Sequence, residues 1–227
     1  MPHTIAILGG TGAEGFGLAL RFAVAGAHVI VGSREAARAE ETARTIASLA
    51  PGSRVEGRVN SEAAAAAAGI VILTVPLQAQ IATLESVRSS LRPGAVLVDT
   101  TVPLEAAIGG KRSRHLALWA GSAAEQAAQH VDAGVHVVAA FHSLSAGLLA
   151  RIESPLDSDV LLCGNSAEAK SLVSELVAML PGARPVDAGP LENARLLESL
   201  AALLISLNLR RRGKHAGVRI TGLDAPG

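Results

Sequence analysis

The stretch "HTIAILGGTGAEGFG" (residues 3–17) places five glycines at the end of an apolar run. Each glycine costs roughly 0.5–1 kcal/mol of folding entropy relative to alanine, so bare backbone must serve a purpose there. Gly10, Gly12 and Gly15 match G-x-G-x-x-G. That spacing is weak alone, because glycine is common. Here it follows an expected strand (4–9) and opens an expected helix (16–27), the setting that gives it meaning. Gly10 permits a tight turn, Gly12 admits a pyrophosphate to the backbone, and Gly15 lets the helix pack close to the strand. The helix N-terminus then offers free N–H groups and a positive dipole end to an anion. A glycine-rich turn with no ligand is the bland alternative, and the strand–turn–helix setting weighs against it.

The pattern continues outward in both chemistry and rhythm. "HVIVGS" (28–33) reads as a second strand, followed by an amphipathic helix (35–50) that Pro51-Gly52 ends. A weaker strand (53–59) leads to "SEAAAAAA" (61–68), read as a short helix with Ser61 as its cap. "GIVILTV" (69–75) is a buried strand stopped by Pro76, followed by a helix (77–92) and the strand "AVLVDTTV" (95–102). Residues 103–121 look irregular, 122–131 helical, and "VHVVAAF" (135–141) extended. Further strands are expected at 159–163 and 184–187, helices at 166–180 and 190–212. Strands separated by helices imply βαβ units and a parallel sheet, and continuous apolar strands imply helices on both faces. The expected fold is α/β: a Rossmann-type, doubly wound, mostly parallel sheet with a smaller C-terminal α/β part. The expected division is a dinucleotide-binding domain over 1–141 and a smaller domain over 142–227.

Composition narrows the class. In 227 residues, 49% are hydrophobic, only 2% aromatic and none is tyrosine, so Ala, Val, Leu and Ile must build the core. Lys plus Arg equals Asp plus Glu at 20 each, so no overall field favours nucleic acid or an anionic membrane. A single cysteine, Cys163, excludes an intramolecular disulfide and a multi-cysteine zinc site; it reads as a small buried apolar residue. No signal-peptide pattern stands at the N-terminus, and no apolar run reaches the roughly 18 residues of a bilayer span. A soluble, cytoplasmic protein with no membrane or nucleic-acid partner is expected.

The end of the second strand selects the dinucleotide. An NAD site usually carries an acidic residue there, for the ribose 2′-OH. This chain has Ser33 and Arg34 instead, with Arg38 one helical turn on. A hydroxyl and a guanidinium suit a 2′-phosphate, which takes charge-assisted and often bidentate contacts from arginine. The bland reading is a solvated helix start. Cations at a helix N-terminus oppose the dipole, so an anionic ligand explains them better. NADP is favoured over NAD.

Five segments carry a resemblance: "ILGGTGAEGFGLALRFAVAGAHVIVGSR", "VILTVP", "VVAAFHSLSAGLL", "DSDVLLCGN" and "PVDAGPLENARLLESLAALLISLN". Together they resemble the coenzyme F420-dependent NADP oxidoreductases over nearly the whole chain. "AFHSLSA" and "AGPLENARLLESL" are more specific than the glycine motif. Leu77 departs from the family, which carries an aromatic residue after its Val/Ile-Pro pair, and 99–121 is only loosely similar. The resemblance implies reversible hydride transfer between nicotinamide C4 of NADP(H) and C5 of the deazaflavin coenzyme F420. It implies that Thr11, Gly12, Ala13 and Glu14 line the pyrophosphate, and that Ser33, Arg34 and Arg38 hold the 2′-phosphate. Val75, Pro76 and Val102 would border the adenosine and nicotinamide ends. His142, Ser143, Leu144, Ser145 and Ala146 would sit where the two cofactors meet. Two rival functions remain open: NADPH-dependent reduction of a flavin, ferric chelate or small imine or carbonyl compound, and a non-catalytic NADP-sensing module.

Other candidates stay modest. His142 ends an apolar strand and is expected to position a cofactor, although a lone histidine there is often structural. His115, His130, His136 and His215 show no metal-ligand spacing with Cys163 or the carboxylates, so no metal is expected. The basic run "RRRGKH" (210–215) is either a solvated helix end or a rim for the acidic tail of the deazaflavin, through Arg210 and Arg211. The helix at 190–209 is apolar nearly all round, which leans towards burial in a homodimer.

Overall fold

A computed structural model describes residues 3–67, 69–211 and 215–223. Arg212 and Lys214 of the basic run, and Ala68 of the alanine run, lie outside the described residues. The strands are β1 (Thr4–Leu8), β2 (His28–Ser33), β3 (Arg54–Val59), β4 (Ile70–Leu73), β5 (Val96–Asp99), β6 (His136–Ala139), β7 (Ser158–Gly164) and β8 (Ala183–Asp187). The helices are α1 (Ala13–Val24), α2 (Ala36–Leu49), α3 (Asn60–Ala66), α4 (Leu77–Val87), α5 (Ala123–Gln129), α6 (Ala146–Leu149), α7 (Ala167–Ala178) and α8 (Ala194–Arg210).

These strands form one eight-stranded sheet in the order β3-β2-β1-β4-β5-β6-β7-β8. The first six are parallel, in the strand order of a dinucleotide-binding sheet. The strand β7 runs antiparallel to β6 across a two-residue register, Val138↔Gly164 and Ala139↔Cys163. The strand β8 then runs parallel to β7. Strands β1, β2, β4 and β5 are buried almost end to end, because helices cover both faces. Two apolar clusters result, one on each face. No helix among the described residues is long and apolar enough to cross a membrane.

Chain order turns back at β1, which has β2 on one side and β4 on the other. Ligands of open α/β sheets bind outside the carboxyl ends of the strands at such a point. Some local details differ from the sequence reading. The helix α3 starts at Asn60 after Val59, with no side-chain cap, so Ser61 is not its cap. The long helix opens with a 3-10 turn, Leu191–Asn193, before α8 proper. The short α6 had no signal of its own. It is fastened by Arg21, whose guanidinium donates to the carbonyls of Leu148, Leu149, Arg151 and Ser154 at 2.7–2.9 Å.

Candidate functional site

The tip of β1 is tied down by its own backbone. The Gly10 N–H donates to Gly32 O on the neighbouring strand at 3.0 Å, and Gly12 N–H to Gly9 O at 2.9 Å. Gly9 takes φ +74°, and a Cβ there would also strike Val75. Gly17 packs α1 onto α6, since a Cβ would lie 2.5 Å from that of Leu149. Gly12 is different. It is exposed, and an added Cβ would meet only Gly9 O, at 3.4 Å. Open backbone at the start of α1, with its first N–H groups unsatisfied by the helix, is a cradle fit for a pyrophosphate.

Three adjoining cavities run along this edge. The first, about 190 Å³, is lined by Gly9, Thr11, Gly12, Ser33, Arg34, Arg38 and Asn60 among others. Ser33 is buried, and its Oγ accepts the Glu35 N–H at 3.3 Å, which leaves its hydroxyl proton for a ligand. Arg34 and Arg38 are exposed and have no acidic partner among the described residues. Asn60 is a residue the sequence reading passed over. It is buried, and its Oδ1 has no hydrogen-bond partner.

The second cavity, about 470 Å³, is lined by Gly12, Ala13, Glu14, Val75, Pro76, Thr100, Thr101, Val102 and Ile205, among others. The third, about 480 Å³, is lined by Glu14, Val102, His142, Ser143, Leu144, Ser145, Ala146, Ile205, Asn208 and His215, among others. Glu14, Val102 and Ile205 belong to both, so the two share a wall. Burial pushes the Glu14 carboxyl up to about 8, with Asp99 adding to the rise and Thr100 opposing it. A neutral carboxyl at neutral pH removes the repulsion that a carboxylate would impose on a pyrophosphate. A separate cleft of about 500 Å³ lies beside Val24, Pro51 and Arg54, near the amino ends of the strands and away from the glycine turn.

His142 reaches the third cavity through a strained residue. Phe141 has φ +67°, a cost of order 1–3 kcal/mol that packing must hold in place. Its ring meets Phe22 edge-on, with centroids 6.2 Å apart. The backbone turns there and brings His142–Ala146 round to the cavity wall. Burial holds the His142 ring down at about 4, so it is neutral at ordinary pH. Neither of its ring nitrogens has a hydrogen-bond partner.

Behind this wall lies a polar cluster that no sequence spacing announces. Asp99, His142 and Glu198 each bring a ligand atom within 4.8 Å of the others, a donor set of the kind that a divalent cation accepts. Protons compete for the same set. Burial pushes Asp99 up to about 6 and Glu198 up to about 8. Gln80 Nε2 and Thr101 Oγ1 donate to Asp99 Oδ1 at 3.1 and 2.8 Å. The Ala123 and Ala124 N–H groups donate to the Glu198 carboxyl at 3.1 and 3.2 Å. Both carboxyls hold protons in the folded state that an unfolded chain releases, so stability falls as pH rises through roughly 4 to 8. Thermal melts should show a Tm lower by several degrees at about pH 9 than at about pH 6. Glu198→Gln, which keeps one acceptor for the α5 N–H groups, should flatten the upper part of that slope; an unchanged slope would rule Glu198 out as its source.

Arg210 ends α8 and Arg211 follows it; both are exposed and line none of the three cavities, although Leu209 and Asn208 line the third. Cys163 is a buried free thiol, pushed up to about 12 chiefly by burial.

The geometry is thus a glycine-turn cavity at the carboxyl ends of the strands with a second pocket beside it. The family model for "NADP oxidoreductase coenzyme F420-dependent" matches residues 4–103. An F420-dependent NADP reductase of Methanothermobacter thermautotrophicus is 47% identical over 226 residues, 98% of this chain and 97% of that protein. The chain belongs to this family. The F420-dependent NADP reductase of Methanocaldococcus jannaschii is 39% identical, over 97% of this chain and 99% of that protein. Among solved structures, a candidate F420-dependent NADP reductase from Arthrobacter sp. FB24 superposes with a TM-score of 0.80 at 25% identity, covering 96% of this chain and 98% of that one. Family membership therefore extends well beyond the segment that the family model matches.

Proposed function

We propose that this protein transfers a hydride between NADP(H) and the deazaflavin coenzyme F420. The observation that carries it is the junction of the second and third cavities at Glu14, Val102 and Ile205. One cavity continues from the glycine cradle, and the other is walled by His142–Ala146. The nicotinamide supplies the hydride at C4, and the deazaflavin accepts it at C5. The chain's own part is alignment and exclusion of water. In this reading Gly10 to Gly15 hold the pyrophosphate, and Ser33, Arg34 and Arg38 hold the 2′-phosphate. Val75, Pro76 and Val102 border the adenosine and nicotinamide ends, and His142 to Ala146 hold the deazaflavin. Residues 1–141 supply the NADP site and 142–227 most of the acceptor wall. Arg210 and Arg211, exposed beside Leu209, form a rim for the acidic tail.

Mixing the protein with NADPH and oxidised F420 tests this reading: the deazaflavin absorbance should disappear. Bleaching only with a flavin or ferric chelate, or turnover only with an imine, would replace the acceptor. Tight NADPH binding without any turnover would leave a sensing module.

A homodimer through α8 is part of the same proposal. Leu196 and Leu203 stand 59% and 55% exposed on that helix, opposite the buried Leu197, Ala201 and Leu204. Light scattering should give twice the chain mass, and a monomer at micromolar concentration would remove the dimer. We also place the protein in the cytoplasm, with its two soluble coenzymes; recovery in a membrane or secreted fraction would refute that.

A further inference from the structure

The third cavity contains a histidine that the hydride reading leaves idle. His215 lies in a terminal segment with no regular secondary structure, of the kind that is usually poorly ordered unless tied down. This one is tied at nearly every step. The Ala216 N–H donates to Asn208 Oδ1 at 2.8 Å, and Val218 N–H to Ser158 Oγ at 3.2 Å. Val218 O accepts the Asp159 N–H, and Ile220 N–H donates to Asp159 Oδ2, both at 2.6 Å. Arg219 reaches Asp157 and Asp159 at 2.8 and 3.0 Å. Arg184, first among its partners, holds the Asp159 carboxyl down at about 2, so this clamp keeps its charge across the neutral range.

The clamp delivers the imidazole to the cavity wall, where Nδ1 lies 2.7 Å from Ser145 Oγ. Ser145 stands at the N-cap of α6 without using its side chain as a cap, so the hydroxyl is free for this bond. Gly147 makes room for the ring, because a Cβ there would collide with His215.

We propose that His215, oriented by Ser145, carries the proton that accompanies the hydride. This inference rests on the deazaflavin reading above. Reduction of a 5-deazaflavin adds a hydride at C5 and a proton at ring N1. NADPH provides the hydride with both electrons and leaves as NADP⁺, so each turnover needs one proton from elsewhere. His215 gives it from Nε2: that N–H bond breaks as the N1–H bond forms. In this step Nδ1–H is the donor to Ser145 Oγ, and a proton from bulk water restores Nε2–H. In the reverse direction Nε2 takes the proton back. Among the described residues the other titratable groups on this wall are His142 and Glu14. His142 is neutral and backs onto Asp99 and Glu198. Glu14 belongs to the first turn of α1 and is shared with the cavity of the glycine turn.

Single-turnover reduction of F420 by NADPH, followed between about pH 5 and 9, should be roughly a hundredfold slower in His215→Gln, with NADPH affinity unchanged. The variant should also lose the pH dependence of the wild-type step, and imidazole should partly rescue His215→Ala. Gly147→Ala, which displaces the ring without removing it, should slow the same step. ¹⁵N imidazole spectra of the substrate-free protein give a readout that does not depend on turnover. They should show neutral His215 with its proton on Nδ1 and a bare Nε2, and Ser145→Ala should mix the tautomers. A His215→Gln enzyme with the wild-type rate at every pH overturns the proposal, as does a His215 that keeps its neutral proton on Nε2. A wild-type protein that leaves F420 oxidised removes the parent reading, and the proton step falls with it.

Discussion

Arg34→Glu is expected to raise the NADPH dissociation constant by a factor of several hundred while leaving NADH binding within a few-fold. Two effects combine. A charge-assisted hydrogen bond to the 2′-phosphate is worth about 1.5–3 kcal/mol, and the new carboxylate repels the phosphate where the guanidinium attracted it. Every 1.4 kcal/mol is tenfold, so a total near 3–4 kcal/mol gives the stated range. NADH lacks the phosphate and offers a 2′-OH, which a carboxylate in that position accepts well. Arg34 is exposed and has no acidic partner among the described residues, so its removal breaks no ion pair and should leave the fold intact. Fluorescence titration with both nucleotides measures the ratio. Equal losses for NADPH and NADH would show that the 2′-phosphate sits elsewhere.

That prediction rests on residues legible in one dimension. Arg34 follows a strand whose pattern is continuous and apolar, and Ser33, Arg34 and Arg38 are neighbours in sequence as well as in the first cavity. The parallel half of the sheet was readable for the same reason: burial on both faces writes itself as uninterrupted Val, Ile and Leu. Strand direction leaves no such mark, so the antiparallel β7 is visible only in the structure. The acceptor wall divides likewise. His142 to Ala146 were readable as a segment after a strand, but the turn at Phe141 that swings them inward is tertiary in origin. Glu198 was hidden inside a helix that reads as apolar, since its partners are the backbone of α5. His215 meets Ser145 where Asn208, Ser158 and Asp159 hold residues 216–220 against β7 and α8.

Two glycines of the opening motif, Gly12 and Gly15, should separate cleanly when each is replaced by alanine, because their surroundings differ. At Gly15 a Cβ would collide with Thr74 Oγ1 and lie 2.7 Å from Gly10 Cα and 2.9 Å from Gly9 O. Thr74 cannot step aside cheaply, since its hydroxyl and its N–H both donate to Leu8 O at 2.9 Å. Relief requires α1 to lift away from β1 and β4. Overpacking of this kind costs about 1–3 kcal/mol, which for a chain of this size lowers Tm by roughly 3–10 °C. The same movement withdraws the helix N-terminus from the pyrophosphate, so NADPH affinity should fall at least tenfold. Gly12→Ala makes the opposite pairing. Its Cβ meets only Gly9 O, at 3.4 Å, so Tm should stay within about 2 °C of wild type. The methyl group then occupies the face that the pyrophosphate must approach, and NADPH affinity should fall about as far. Melting curves and nucleotide titrations on the two variants decide the matter. A stable Gly15→Ala would show that α1 does not depend on its close approach to Thr74, and a Gly12→Ala that binds NADPH normally would put the pyrophosphate off this turn.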